Sequence, residues 1–386
     1  MAAALIGHLE HQLAARVEAH ALRARRVVDS PQGARIVVDG RELLAFASND
    51  YLGLAGDPRI AAAAAEGVAR WGVGAGASHL VCGHQSPHAQ LERALAAFAG
   101  PCANARAILL SSGYLANLAI LTALADRRTT VFADRLNHAC LNDGALLARA
   151  KLVRYAHRDV DALASRLSRD RSPTKVIATD AVFSMDGTRA PLAAIAELAE
   201  RHDAWLVVDD AHGFGVNGGG CGTLSELRVR GDRVVLMATL GKAAGVAGAF
   251  VAAHPAVIET IVQTARPYVY TTAAPALLAC ASLAALEAIR GGDGLRAHLF
   301  ALVDRFRTAL ATAGVALGES SHPIQPLVVG DNRAALALSQ RLAERGIFVP
   351  AIRPPTVPAG TARLRVSISA AHCDADIDAL VAALAD

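Results

Sequence analysis

"LMATLGKAAG", residues 236–245, sets a lysine among small residues directly after an apolar run. The chain has 386 residues, and of its 38 basic side chains only Lys151, Lys175 and Lys242 are lysines. Arginine matches lysine in charge but holds its proton at any ordinary pH, whereas an amine can release it and act as nucleophile or base. Lys242 therefore reads as an amine kept for chemistry. The run that delivers it, "RVVLMATL" (233–240), reads as a β-strand, and "AFVAA" (249–253) as the next. The link between them is too short for a crossover helix, so one strand should run against the other.

Working outward, similar short runs recur: "AILL" (107–110), "TTVFAD" (129–134), "KLVRY" (151–155), "KVIATD" (175–180) and "WLVVDD" (205–210). Helical stretches separate most of them, as "PLAAIAELAERHD" precedes "WLVVDD". Strands alternating with helices predict an α/β fold with a mostly parallel seven-stranded sheet covered on both faces. "SPHAQLERALAAFAG" (86–100) predicts a complete helix with Ser86 as N-cap, Pro87 in the first turn and Gly100 closing it. After about residue 285 the texture shifts to helix, strand, helix, a proline-rich turn, and "ARLRVSIS" (362–369). That last run alternates, with Leu364, Val366 and Ile368 on one face and Arg363, Arg365 and Ser367 on the other. The expected division is an N-terminal helical segment (1–45), a large α/β domain (46–285) and a small C-terminal α+β domain (286–386). Leu5, Leu9, Leu13 and Val17 recur at spacing four in the N-terminal segment, predicting an amphipathic helix and not a secretory signal.

Bulk properties exclude several classes. A hydrophobic content of 53% with 19% charged residues describes a well-buried globular chain. No apolar run reaches the ~18 residues of a membrane span. The net charge of +3 comes with no basic run, so no nucleic-acid or membrane partner is expected. Six scattered cysteines without a CxxC pair fit a reducing compartment, and the expected location is the cytoplasm.

Open α/β sheets place ligands beyond the carboxyl ends of their strands. Those ends carry compatible chemistry here. Ser111, Ser112 and Gly113 lead into a helix whose free N–H groups suit a phosphate. "VFADRLNHACL" delivers His138, "VIATDAVFSMDG" Ser184, "WLVVDDAHGFG" Asp209 and His212, and "VVLMATLGK" Thr239 and Lys242. An amine, a carboxylate, imidazoles, hydroxyls and an anion cradle on one edge are what pyridoxal 5′-phosphate (PLP) requires. Other motifs fall away. Gly213, Gly215 and Gly218 satisfy G-x-G-x-x-G but open no clear helix, and Gly241-Lys242 is not part of a phosphate-binding P-loop. No G-x-S-x-G elbow supports a serine hydrolase. His79, Cys82, His84 and His88 cluster in "HLVCGHQSPH" without a standard zinc spacing, so no metal is expected.

"SNDYLGL" (48–54), "DDAHGFGV" (209–216), "TLGKAAG" (239–245) and above all "IQPLVVGDN…AIRPPTVPAGTARLRVSISAAH" (324–372) resemble the α-oxoamine synthases among the fold-type I PLP-dependent enzymes. The resemblance covers essentially the whole chain and implies a homodimeric transferase. It implies Lys242 as the cofactor-anchoring lysine and base, His138 as the ring-stacking group, and Asp209 as the partner of the pyridine nitrogen. His212 and Ser184 fall near the phenolic oxygen, and Gly113, Tyr114 and Thr239 in the cofactor's shell. Arg23 and Thr356 match substrate contacts, Arg365 the group holding the amino-acid carboxylate, and Asn49 the same pocket. The AIRPPTVPAGTARLR run implies the branch that joins L-alanine to pimeloyl-CoA or a pimeloyl-acyl carrier protein. The alternatives are the branches that join glycine to acetyl-CoA or succinyl-CoA. One departure stands out: Phe214 occupies the place of a usual threonine.

Overall fold

The computed structural model describes residues 2–385 and divides into two compact units. The larger comprises Asp50–Ser184 and Thr188–Ala297; the smaller comprises residues up to Asn49, Met185–Gly187, and residues from His298 onward.

The larger unit is built on seven strands: β1 (Arg106–Leu110), β2 (Thr129–Asp134), β3 (Lys151–Tyr155), β4 (Thr174–Asp180), β5 (Trp205–Asp209), β6 (Val234–Thr239) and β7 (Ala249–Ala253). Their order across the sheet is β1-β7-β6-β5-β4-β2-β3. The pairs from β6 to β3 are parallel, and β7 runs against both its neighbours, as its short link to β6 requires. Every residue of β2 and β7 is buried, and β7 accordingly reads as a continuous apolar run without alternation. Helix Gly113–Leu124 lays Ala116, Ala119, Ile120 and Leu121 into the core with Val131, Val176, Val207, Val235 and Val251. Register sets the polar edge of the sheet: Asp180 of β4 lies opposite Asp209 of β5, which lies opposite Met237 of β6.

The helix expected over 86–100 spans Ser86–Ala99, but its N-cap is Gln85 and not Ser86. His88 makes the difference, because its Nδ1 accepts the Gln85 N–H at 3.0 Å and draws the chain into the helix one residue earlier. The residues of the G-x-G-x-x-G pattern form successive turns, with a 3₁₀ turn at Gly218–Gly220 and only a four-residue helix after it.

In the smaller unit, strands Arg35–Val38 and Arg41–Ala45 form a hairpin turned by Asp39 and Gly40, both at positive φ (51° and 76°). Strand Ile347–Phe348 adds to it in parallel, joining the chain's beginning to its C-terminal part. A second sheet pairs Ile324–Gly330 with Ala362–Ser367, and the latter with Ala351–Ile352. Helix Ala2–Glu18 forms as expected, with Leu5, Leu9, Leu13 and Val17 each more than half exposed.

The loop carrying Lys242 turns on Gly245, at φ +68° and close against the backbone of Leu54 and Ala55. A side chain there would meet that backbone as well as the left-handed conformation. Gly245→Ala should lower unfolding stability by at least about 1 kcal/mol, read as a lower urea midpoint at unchanged slope.

Candidate active site

Beyond the carboxyl ends of β4, β5 and β6 lies a cavity of about 180 Å³. Gly113, Tyr114, His138, Asp209, His212, Thr239 and Lys242 line it together with Cys140, Asp180 and Met237. Seven residues expected from the sequence are thus gathered from four separate segments. Ser184, four residues past Asp180 and partly buried, is not among the residues lining this cavity.

Asp209 is 5% exposed. Its Oδ1 accepts from the Ala211 N–H at 3.0 Å and its Oδ2 from Asn117 Nδ2 at 2.7 Å, so the carboxylate is fixed from two sides. The neighbouring acid, Asp180, is pushed well above the usual carboxylate range by burial first and by the charge of Asp209 second. Two adjacent acids therefore need not both be charged. Asp180 Oδ2 accepts the backbone N–H of His138 at 2.7 Å and so sets where that residue leaves the strand. The His138 ring, open to the cavity, lies with Nδ1 2.8 Å from Cys140 Sγ. Desolvation lowers its pKa; Asp209 opposes that shift and Lys242 adds to it.

Lys242 Nζ lies 2.9 Å from His212 Nε2, and His212 Nδ1 lies 2.7 Å from the hydroxyl of the buried Tyr51. An amine, an imidazole and a phenol thus form one hydrogen-bonded line. Ser112 Oγ caps helix Gly113–Leu124 by accepting from Leu115 N at 3.3 Å, leaving the N–H groups of Gly113 and Tyr114, which line the cavity, for an anion. Thr239 Oγ1 donates to Gly248 O and accepts from Gly241 N, which ties down the loop before Lys242.

The remaining expected residues lie in the smaller unit, in two pairs. Arg23 Nη2 donates to Thr356 Oγ1 at 2.9 Å, across 333 positions of sequence. Arg365, 4% exposed, donates to Asn49 Oδ1 at 3.1 Å and to Ser367 Oγ at 2.8 Å. Both arginines of the alternating strand are buried: Arg363 pairs with Asp186 at 2.6 Å. Its polar face is a lined interior and not a solvent face.

A model of the class I and II aminotransferases matches residues 41–384. The chain belongs to the class I and II aminotransferase family. It is 54% identical to the 8-amino-7-oxononanoate synthase of Leptothrix cholodnii, over 99% of this chain and 98% of that one. Serine palmitoyltransferase of S. paucimobilis, solved with a PLP–myriocin aldimine, superposes with a TM-score of 0.91 at 28% identity, covering 98% of this chain and 96% of that chain. The 8-amino-7-oxononanoate synthase of Francisella tularensis gives a TM-score of 0.77 at 30% identity, covering 89% and 97%. The fold is that of the fold-type I PLP transferases, and the cofactor is PLP. The cavity's own donors fit it: a fixed buried carboxylate, an amine at a strand end, an accessible imidazole and a capped helix N-terminus.

Asn117, Asp180, Cys140 and Tyr51 were not singled out from sequence. Asp180 ends "KVIATD" just as Asp209 ends "WLVVD", so the same strand-end signal was available for it. Asn117 carried no such signal, being one polar residue inside an apolar helix. Asn117→Ala removes the donor to Asp209 Oδ2 in a buried setting. PLP retention should weaken roughly 10-fold, measured as cofactor dissociation during dialysis.

Proposed function

We propose that this chain condenses L-alanine with a pimeloyl thioester, giving 8-amino-7-oxononanoate, CO2 and free thiol, a step of biotin biosynthesis. The observation that carries this reading is the Lys242–His212–Tyr51 line beside the fixed carboxylate of Asp209, in a chain 54% identical over nearly its full length to an 8-amino-7-oxononanoate synthase. PLP, when bound, supplies the electron sink for the pair left at the α-carbon of the amino acid.

The chain's own residues do the rest. Lys242 anchors the cofactor and, once displaced by alanine, removes the α-proton at Nζ. His212 and Tyr51 hold that amine in one orientation, so the base does not search for its substrate. Asp209 keeps the ring nitrogen protonated by charge pairing, and Asn117 with the Ala211 N–H keeps the carboxylate aimed. His138 stacks on the ring, and its lowered pKa favours a neutral imidazole there, without repulsion from a cationic ring. Ser184 and His212 serve the phenolic oxygen; Gly113, Tyr114 and Thr239 belong to the cofactor's binding shell.

Arg365, its guanidinium oriented by Asn49 and Ser367, takes the amino-acid carboxylate. That grip orients the bond that breaks on decarboxylation. Arg23 and Thr356, already hydrogen-bonded to each other, serve the pimeloyl chain. The thiol carrier is CoA or an acyl carrier protein, and the working form is a homodimer. No described helix is long and apolar enough to cross a membrane, which agrees with a cytoplasmic enzyme.

Steady-state assays crossing alanine, glycine and serine with pimeloyl, acetyl and succinyl thioesters test the reaction. Alanine with pimeloyl should give the highest kcat/KM, and a glycine–acetyl or glycine–succinyl optimum would overturn the assignment. Lys242→Arg should be inactive despite its retained charge, since a guanidinium supplies neither anchor nor base. The two arginine sites should fail differently. Arg365→Ala should cost roughly 2–5 kcal/mol in alanine binding, whereas Arg23→Ala should spare alanine binding and raise KM for the pimeloyl donor. Alanine titrations followed by cofactor absorbance, beside donor kinetics, separate the two.

A further inference from the structure

The segment "HLVCGHQSPH" plays no part in the PLP cavity, yet it brings three imidazoles together. Residues His79–Gly83 form a π-helical turn, and helix Ser86–Ala99 begins three residues later. The wider π turn brings His79 and His84, five apart, side by side; the step of four to His88 follows the helix start. This is why the spacing matches no standard metal pattern read at α-helical period. One nitrogen from each of the three rings lies within 4.8 Å of the others. The ring centroids form a near-equilateral triangle with sides of 5.2, 5.3 and 5.7 Å. Three imidazoles bound at about 2.1 Å to one tetrahedral ion would have their centroids roughly 5.3 Å apart.

We propose that His79, His84 and His88 bind one divalent cation of the imidazole-seeking class, typified by Zn2+, at a site separate from the PLP cavity. The far nitrogens of two of these rings already face the partners that metal-bound histidines use. His88 Nε2 donates to Ala274 O at 2.8 Å, leaving its lone pair on Nδ1, which the ion would share in place of the Gln85 N–H. His84 has Nδ1 3.0 Å from His79 Nδ1, and its Nε2 lies 3.7 Å from the Glu92 carboxylate. The Glu92 carboxyl stands just beyond hydrogen-bond distance, placed to close on the ring as the carboxylate that orients a ligand histidine and raises its basicity. The His79 ring is held flat against Tyr268, with centroids 5.3 Å apart and planes 8° from parallel. Entry is open, because His84 is exposed and lines, with Glu92, a cavity of about 670 Å³.

The test is equilibrium dialysis of chelator-treated holoenzyme against ZnCl2, with metal analysis. The wild type should take up one Zn2+ per chain with a Kd in the micromolar range or tighter. His84→Gln, at an exposed position, should weaken binding on the order of 100-fold, and Glu92→Gln on the order of 10-fold. Lys242→Ala should bind Zn2+ as the wild type does, which separates this site from the cofactor cavity. Absence of saturable uptake below about 1 mM Zn2+, or full-strength uptake by His84→Gln, overturns the proposal.

Discussion

The register of three parallel strands fixes where the charged groups of the cavity stand. Asp180, Asp209 and Met237 are direct neighbours across β4, β5 and β6, and the sheet is buried on both faces there. A slip of one residue in β4 or β5 would turn a carboxylate into the apolar layers and an apolar side chain into the cavity. The all-buried strands make that slip costly, so the sheet's hydrophobic core enforces the geometry of its polar edge. Asn117 makes the same link from a helix: its neighbours Ala116, Ala119 and Ile120 pack into the core, while its amide reaches Asp209 and Cys140.

Much of this was legible in the sequence, because the signals were local. Strands 129–134, 151–155 and 249–253 coincide with their expected runs, and the reversed direction of the last follows from the short link before it. The cavity residues at strand ends were legible for the same reason: Lys242, Asp209, His212 and His138 each follow an apolar run. What was not legible depends on side chains from elsewhere in the chain. Nothing local marks Tyr51 as the partner of His212, 161 positions away, or Asn117 as the support of Asp209. The cap at residue 86 failed for a related reason. Serine is the commoner cap, but the imidazole of His88 reaching back to Gln85 N decided the boundary.

The departure at Phe214 has a packing account. Its ring is buried, set edge-on to Phe98 at 6.2 Å and to Phe250 of β7 at 5.1 Å between centroids. The turn that holds His212 is thus pinned to the sheet by an aromatic cluster. Polar support enters the same turn one step away, where Asp210 accepts from both the backbone and the hydroxyl of Thr223. Burial pushes Asp210 up to about 7 even so. A large apolar ring at 214 and a hydrogen-bonded acid at 210 therefore hold the loop by different means, and His212 Nε2 stays within 2.9 Å of Lys242.

The scarcity of lysine in this chain acquires its meaning from the same geometry. Lys151 is a surface side chain, 66% exposed, whose ion pair with Asp170 an arginine could make as well. Arginine serves wherever a fixed, oriented charge is wanted: Arg363 on Asp186, Arg365 on Asn49 and Ser367, Arg23 on Thr356. Each of these uses the planar fork and none requires a proton to leave. At 242 the demand is reversed. For the role proposed for Lys242, the group must lose its proton to become nucleophile and base, and must fit a loop of glycine and alanine within reach of one imidazole nitrogen. A guanidinium meets neither condition, so on the proposed role the amine at this position follows from the reaction and not from its charge.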